Sequence, residues 1–376
     1  MAAICDLTGL PGLLLPWYGE HRRDLPWRAD RQPYHVWLSE IMLQQTRVEA
    51  VKGYYIRFLT ALPDIPALAR CDDEVLHKLW EGLGYYSRVR NLKKAAQVVM
   101  ERYGGVFPES YAEVLALPGI GEYTAGAICS IAFNQPTPAV DGNVLRVLAR
   151  LLDDPSPIDL PETKRRVTQL LSGIYPKEAG DFTQALMELG ATVCGPNRAP
   201  DCEHCPCKGM CLGFQRDTAA SLPVKSPKKA RRQEDRTVFI LSCDGCFALE
   251  KRPETGLLAG LWQFPNVSGR LDTQDALDAV SAMGLHPREI LRETEKTHIF
   301  THIQWNMKGI YLEVDACGGN FQWLTEKEIN LQAALPTAFR QFWEREKCTT
   351  TICIPGYPLT GTTQAFPWPG QRRTLG

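Results

Sequence analysis

From Leu7 to about Phe214 apolar residues recur every three or four positions, and the breaks between these runs carry Pro and Gly. The spacing predicts an all-helical half, with helices over Val36 to Val51, Asp73 to Leu83, Ser87 to Tyr103, Glu122 to Phe133, Asn143 to Leu152, Glu162 to Ile174 and Gly180 to Val193. Strand-like alternation is almost absent there. Residues 215–236 then hold few large apolar side chains, Pro223 and Pro227, and a basic run of Lys225, Lys228, Lys229, Arg231 and Arg232. This segment reads as a linker, either a solvated tether or a phosphate contact. After Arg236 the pattern changes to β-branched and aromatic runs: Thr237 to Leu241, an Asp244-Gly245 hairpin turn, and Phe247 to Glu250. A helix over Thr273 to Met283, one or two strands over Ile299 to Val314 and a closing helix over Ala338 to Glu346 complete an α+β domain. The expected boundaries are residues 1–214, 215–236 and 237–347, with a loosely ordered, proline-bearing tail over 348–376.

Composition changes little in this picture. The 376 residues fit two domains, and 44% hydrophobic with 23% charged residues is ordinary for globular chains. A net charge of -1 argues neither for nor against a polyanionic partner. No apolar run is long enough to span a membrane, and the start, with Asp6 and Pro16, does not read as a signal peptide. The chain is therefore read as cytoplasmic. In a reducing compartment the thirteen cysteines point to metal rather than disulfides, because five of them fall between Cys194 and Cys211. Cys194, Cys202, Cys205 and Cys211 stand close enough in sequence to surround one centre, and four thiolates serve structural zinc and iron-sulfur clusters alike. Cys207 interrupts the spacing and reads as a spare thiol. Cys243 and Cys246 flank the hairpin turn and read as structural.

Two further features carry candidate chemistry. Leu117-Pro118-Gly119-Ile120-Gly121 lies between helices, and its glycines permit a tight turn whose N–H groups cradle phosphate. Asp141 heads the following helix, either as an N-cap or as a functional carboxylate. Its candidate partner is Glu40, which shares a helix face with Val36, Leu43 and Gln44. An apolar face would raise the pKa of that carboxyl towards that of a general acid.

Taken together, PWR (Pro26 to Arg28), PYHVWLSEIMLQQT (Pro33 to Thr46), GLGYYSR (Gly82 to Arg88), LPGIGEYTAGAI (Leu117 to Ile128), VDGNVLRVLAR (Val140 to Arg150), MELGATVC (Met187 to Cys194) and the cysteine set resemble the MutY adenine DNA glycosylases of the helix-hairpin-helix superfamily. The resemblance covers residues 17–214 in order and continues beyond them. One departure is that seven residues, not the family's usual six, separate Cys194 from Cys202. The implied fold is mainly α, a two-lobed helix-hairpin-helix glycosylase with an iron-sulfur loop, followed by an α+β NUDIX-like domain. The implied cofactor is a [4Fe-4S] cluster held by Cys194, Cys202, Cys205 and Cys211.

The resemblance implies hydrolytic removal, by base flipping, of adenine mispaired with 8-oxoguanine or guanine in double-stranded DNA, at the start of base excision repair. It makes Glu40 the general acid and Asp141 the stabiliser of the sugar cation, with Tyr123, Asn143, Arg28 and Glu188 lining the pocket. Gln44 and Thr46 fall in the same DNA-facing motif. Gln45 and Tyr85 are placed to probe the stack around the lesion, and Gly119 and Gly121 meet the backbone. Where strand-cleaving relatives carry a Schiff-base lysine this chain has Tyr123, which implies a monofunctional enzyme. In the NUDIX-like part the hydrolase signature is missing, and Phe300-Thr301-His302 matches the loop that recognises 8-oxoguanine. The expected setting is a monomer on DNA, with no membrane, in a bacterial nucleoid. The competing readings are a glycosylase for thymine opposite guanine and an inactive iron-sulfur DNA-binding protein.

Overall fold

The computed structural model describes residues 6–196, 199–227 and 230–343. Twelve helices come first: α1 (Leu10–His21), α2 (Pro33–Leu43), α3 (Val48–Ala61), α4 (Ile65–Arg70), α5 (Asp73–Trp80), α6 (Ser87–Tyr103), α7 (Tyr111–Leu115), α8 (Glu122–Phe133), α9 (Gly142–Leu152), α10 (Pro161–Ser172), α11 (Ala179–Thr192) and α12 (Leu212–Gln215). Their apolar faces pack into two cores rather than one. Trp37, Phe58 and Trp80 centre the lobe of α2 to α8, while Leu10, Leu14, Leu148 and Phe182 centre the lobe of α1 and α9 to α11. The seam between these lobes positions the site.

The continuous helix expected over Val36 to Val51 is in fact α2 and α3, broken at Gln44 to Arg47. Gln45 adopts φ +56, which ends the ladder. The reason lies across the lobe, where the buried Arg88 guanidinium takes the carbonyls of Ile41 (2.8 Å), Met42 (3.1 Å) and Gln44 (2.6 Å). A side-chain cation thus satisfies acceptors left unpaired at the end of α2. Helix α2 is also enclosed nearly all round, since every residue from Val36 to Met42 is buried. The burial of Glu40 therefore comes from enclosure of the whole helix and not from one apolar face.

The expected tether is also corrected. Residues after α12 lie along the second lobe: Arg150 Nε donates to the Leu222 carbonyl (2.9 Å), Ile158 N to that of Val224 (3.0 Å), and Ser226 N to Asp159 Oδ1 (2.8 Å). The first strand then starts at Arg232, inside the segment expected to be linker. Lys228 and Lys229 lie outside the described residues, as does everything from residue 344 onward, including the proposed tail.

Among the described residues seven strands form one sheet: β1 (Arg232–Cys243), β2 (Cys246–Lys251), β3 (Trp262–Gln263), β4 (Asn266–Ser268), β5 (Pro287–Ile299), β6 (Ile303–Val314) and β7 (Gln322–Thr325). The order is β3-β2-β1-β6-β5, with β4 on β1 and β7 on β2. β1 runs parallel to β6, Arg232 opposite Ile303 through Ser242 opposite Glu313. Helix α13 (Thr273–Ala282) contributes to a core with Phe239 and Leu241. α14 (Glu326–Gln332) and α15 (Thr337–Trp343) contribute to another with Val238 and Ile240. With both faces covered, Thr237 to Leu241 is a continuous buried run without alternation. β5 was not expected, because its pattern is charged and largely exposed along an edge of the sheet. Its hairpin with β6 carries Phe300 to His302 at the tip.

Candidate active site

Glu40 on α2, Tyr123 in the first turn of α8 and Asp141 at the N-cap of α9 open into one cavity of about 490 Å³ at the seam between the lobes. Arg28, Gln44, Gln45, Thr46, Asn143 and Glu188 line it too. Asp141 is the N-cap of α9 and lines the cavity as well. One carboxylate oxygen caps α9 through Asn143 N (2.9 Å) and Val144 N (2.8 Å), and the other accepts from Asn143 Nδ2 (2.6 Å). Asn143 is itself held by Arg146 Nη2 (2.8 Å). The approach of α11 needs Gly190, where a Cβ would stand 2.6 Å from that of Asn143.

Partners differ sharply among the three carboxylates. Glu40 is 6% exposed and accepts from the Tyr123 hydroxyl at 2.5 Å. Burial pushes its pKa up to about 7, opposed by the Tyr123 bond, raised further by Asp141 and lowered by Arg28. Burial also raises Asp141, against the pull of its N–H donors and Arg146. Burial works to raise Glu188 as well, but Arg23 Nε (2.6 Å) and Arg28 Nη2 (2.7 Å) outweigh it and hold that carboxyl below its usual range. Glu188 is thus an ion-paired support at the cavity wall. Arg23 was not anticipated, and its only signal was its position just before the PWR motif.

Tyr85, Phe300, Thr301 and His302 do not reach this cavity. They line a second one of about 520 Å³, between the helical part and the sheet. Tyr85 sits outside any helix at φ +47, with its hydroxyl 3.3 Å from Thr301 Oγ1. Phe300 packs edge-on against His298 and Trp305, which leaves Thr301 and His302 exposed at the loop tip. Arg88 links the two cavities, because it also donates to the carbonyls of Leu83 (2.9 Å) and Gly84 (3.1 Å). Arg88 closes the GLGYYSR motif, whose sequence carries no sign of this role.

Of the hairpin glycines, Gly119 is required by the turn: its φ is +77 and a Cβ would meet that of Asn91 at 2.5 Å. Gly121 has no such constraint and leaves the N-cap of α8 without a side chain.

Cys194, Cys202, Cys205 and Cys211 line one small cavity with Arg150, Lys208 and Phe214. Arg150 Nη1 donates to Cys194 Sγ (3.1 Å). Cys207 is buried in the second core and is absent from that lining. Among the described residues no three His, Cys, Asp or Glu side chains gather as they would around one metal ion. Four thiols lining one small cavity with a guanidinium beside them are a donor set that suits an iron-sulfur cluster. Residues 197 and 198, in the lengthened spacer, lie outside the described residues. No helix among those described is long and apolar enough to cross a membrane.

Residues 38–176 match the family described as HhH-GPD superfamily base excision DNA repair protein, and residues 236–345 match the NUDIX domain. The fold and site thus define a helix-hairpin-helix base excision repair glycosylase with an appended NUDIX-type domain. A thermostable thymine-DNA glycosylase of known structure is 28% identical with TM-score 0.51, and the alignment covers all of that chain but 56% of this one. Curated relatives extend over both parts. The adenine DNA glycosylase of Mus musculus is 37% identical over 90% of this chain and 78% of its own. That of Buchnera aphidicola subsp. Acyrthosiphon pisum is 36% identical over 69% and 74%. The chain belongs to the adenine DNA glycosylase family.

Proposed function

We propose that the protein is a monofunctional DNA glycosylase that releases adenine mispaired with 8-oxoguanine, or with guanine, from double-stranded DNA. The observation that carries this reading is the meeting of Glu40, the Tyr123 hydroxyl and Asp141 in one cavity. Adenine leaves the stack and enters the cavity, at a cost of a few kcal/mol of unstacking and unpairing. Glu40, with a pKa near neutrality, holds a proton in a large share of molecules and gives it to N7 of the base. As the N-glycosidic bond breaks, its electrons go to the protonated adenine and the sugar becomes an oxocarbenium-like cation. The Asp141 carboxylate, whose anion is favoured by its N–H donors against the effect of burial, stabilises that cation. The Glu40 carboxylate then takes a proton from the attacking water, whose oxygen bonds to C1′ and leaves an abasic site. Tyr123 positions Glu40 and offers no amine for a Schiff base, so the strand stays intact.

Arg28 and Glu188 shape the wall of the pocket, with Asn143 holding Asp141. Gln44, Gln45 and Thr46 meet the DNA beside the vacated position, and the turn at Gly119 and Gly121 meets its backbone. Tyr85, Thr301 and His302 contact the base opposite adenine, through the second cavity. Cys194, Cys202, Cys205 and Cys211 hold a [4Fe-4S] cluster that stabilises the loop and takes no part in base release.

The test is single-turnover base release on matched duplexes carrying adenine opposite 8-oxoguanine, adenine opposite guanine and thymine opposite guanine, with alkali as a separate step. Adenine release that needs alkali to reveal the break is expected. Release of thymine alone, or breakage without alkali, would overturn the reading.

A further inference from the structure

One face of α5 is turned to the sheet-bearing part. Glu74 accepts from Trp262 Nε1 (3.2 Å) and pairs with Lys251, and Lys78 Nζ donates to the Ala333 carbonyl (3.2 Å). Glu74, Lys78 and Glu81 follow at helical spacing, so one stripe makes all these contacts. Glu81, at the C-cap, is the most enclosed of the three acids and bases, with a side chain 9% exposed. Its Oε1 accepts from Leu335 N (3.0 Å) and from Arg340 Nη1 (3.1 Å), while Oε2 pairs with Lys78 (2.7 Å). Leu335 lies in the connection from α14 to α15, and Arg340 lies in α15.

The residues after Glu81 form the turn that presents Tyr85. Gly82, Gly84 and Tyr85 all hold positive φ, at +99, +69 and +47, a path that the two glycines permit. The turn is pinned by Tyr54, whose hydroxyl donates to the Glu81 carbonyl (2.8 Å) and occupies the space a Cβ at Gly82 would need. A displacement of Glu81 thus reaches Tyr85 directly, and a displacement of Leu335 and Arg340 moves the sheet-bearing part against it.

We propose that Glu81 is a positioning residue for recognition of the base opposite adenine: it locks the Leu335 to Arg340 segment to the turn carrying Tyr85, and so sets the spacing of Tyr85 and Thr301 across the second cavity. This rests on the reading that Tyr85, Thr301 and His302 contact that base.

The experiment uses the full chain with Glu81→Gln, which keeps an acceptor for Leu335 N but removes the charge facing Arg340 and Lys78. Binding is measured on duplexes carrying a non-hydrolysable adenine analogue opposite 8-oxoguanine or guanine, and release on the corresponding substrates. The preference for 8-oxoguanine should fall about tenfold, equivalent to about 1.4 kcal/mol, with release opposite guanine changed less than about twofold, because Glu81 is the enclosed member of a pair whose Arg340 partner is 38% exposed, and its loss is felt where the pair holds geometry. Arg340→Gln should reproduce the effect, and the double variant should add little to either. It reads the same contact from the other side should Glu81→Gln fold poorly. Unchanged preference, or equal losses on both duplexes, would overturn the proposal. Thr301→Ala and His302→Ala, run in parallel, separate the two failures. If they lower the preference while Glu81→Gln and Arg340→Gln do not, the positioning role alone falls. If none of the four changes it, the underlying reading falls with it.

Discussion

Replacing Glu40 with glutamine should abolish base release and yet stabilise the protein at alkaline pH. The carboxyl is buried and its pKa is pushed from 4.5 up to about 7. The native state therefore holds a proton between those values that the unfolded chain has released, and stability falls as pH rises across that window. A shift of this size corresponds to roughly 3 kcal/mol at about 1.4 kcal/mol per pH unit, lost in full only above pH 7. Glutamine has no charge to bury and can still accept from Tyr123. The stability of Glu40→Gln relative to the parent should thus increase by about 2 to 3 kcal/mol between pH 5 and pH 8. That is a relative gain of roughly 5 to 10 °C in midpoint for a helical unit of this size. Thermal unfolding of both proteins at the two pH values measures it, and any fixed cost of an imperfectly bonded amide cancels in the comparison. A stability difference that does not change between pH 5 and pH 8 would refute the claim that Glu40 titrates near neutrality, and with it the claim that it arrives at the reaction protonated.

Asp141→Asn should keep α9 capped, since asparagine serves as well at that position, while base release falls by about 10² to 10³-fold, the scale of losing an electrostatic stabiliser; near-normal release in single-turnover assays would contradict the assigned role. Tyr123→Phe removes the bond that lowers the Glu40 pKa, so the limb along which release declines at high pH should move up by roughly one to two units, given that hydrogen bonds to charged groups contribute about 1.5 to 3 kcal/mol; a pH profile that stays put or moves down counts against it. The purified protein should contain iron and inorganic sulfide in place of zinc, and Cys205→Ser should lower both along with the unfolding midpoint; metal analysis and thermal denaturation would expose an error in the ligand set.

The legible part of this chain was the part governed by local pattern. α6 and α8 run over the residues that apolar spacing marked, and Asp244-Gly245 turns the hairpin it signals. What stayed hidden depended on partners distant in sequence. Nothing near Gln44 announces the end of α2, because the cause is a guanidinium some forty residues later in the chain. Residues 219–226 look like a tether until their carbonyls and amides are seen to bond Arg150, Ile158 and Asp159. β5 is a strand because β6 pairs with it from Pro287 to Ile299, not because its own side chains favour a core. The same division holds in the site. Glu40, Tyr123 and Asp141 were marked by motif, but motif could not say that Tyr85 and Gln45 line separate cavities joined by Arg88.

The electrostatics of the cavity show why three acids near one another do not compete for one role. Each carboxylate in the wall is desolvated, which works to raise the pKa of all three. Glu188 escapes through two guanidiniums and stays charged as part of the wall. Asp141 is supplied with N–H donors that favour the anion without neutralising it, which is the state the proposed mechanism requires opposite a forming cation. Glu40 receives only a tyrosine hydroxyl, a donor too weak to offset burial, and so remains poised to hold a proton. Exchanging these partners would exchange the roles: a guanidinium beside Glu40 would cost the acid, and a dry Asp141 would cost the counter-charge. The chemistry is therefore encoded less in the acids themselves than in Arg23, Arg28, Tyr123, Asn143 and the first turn of α9, which assign each acid its charge.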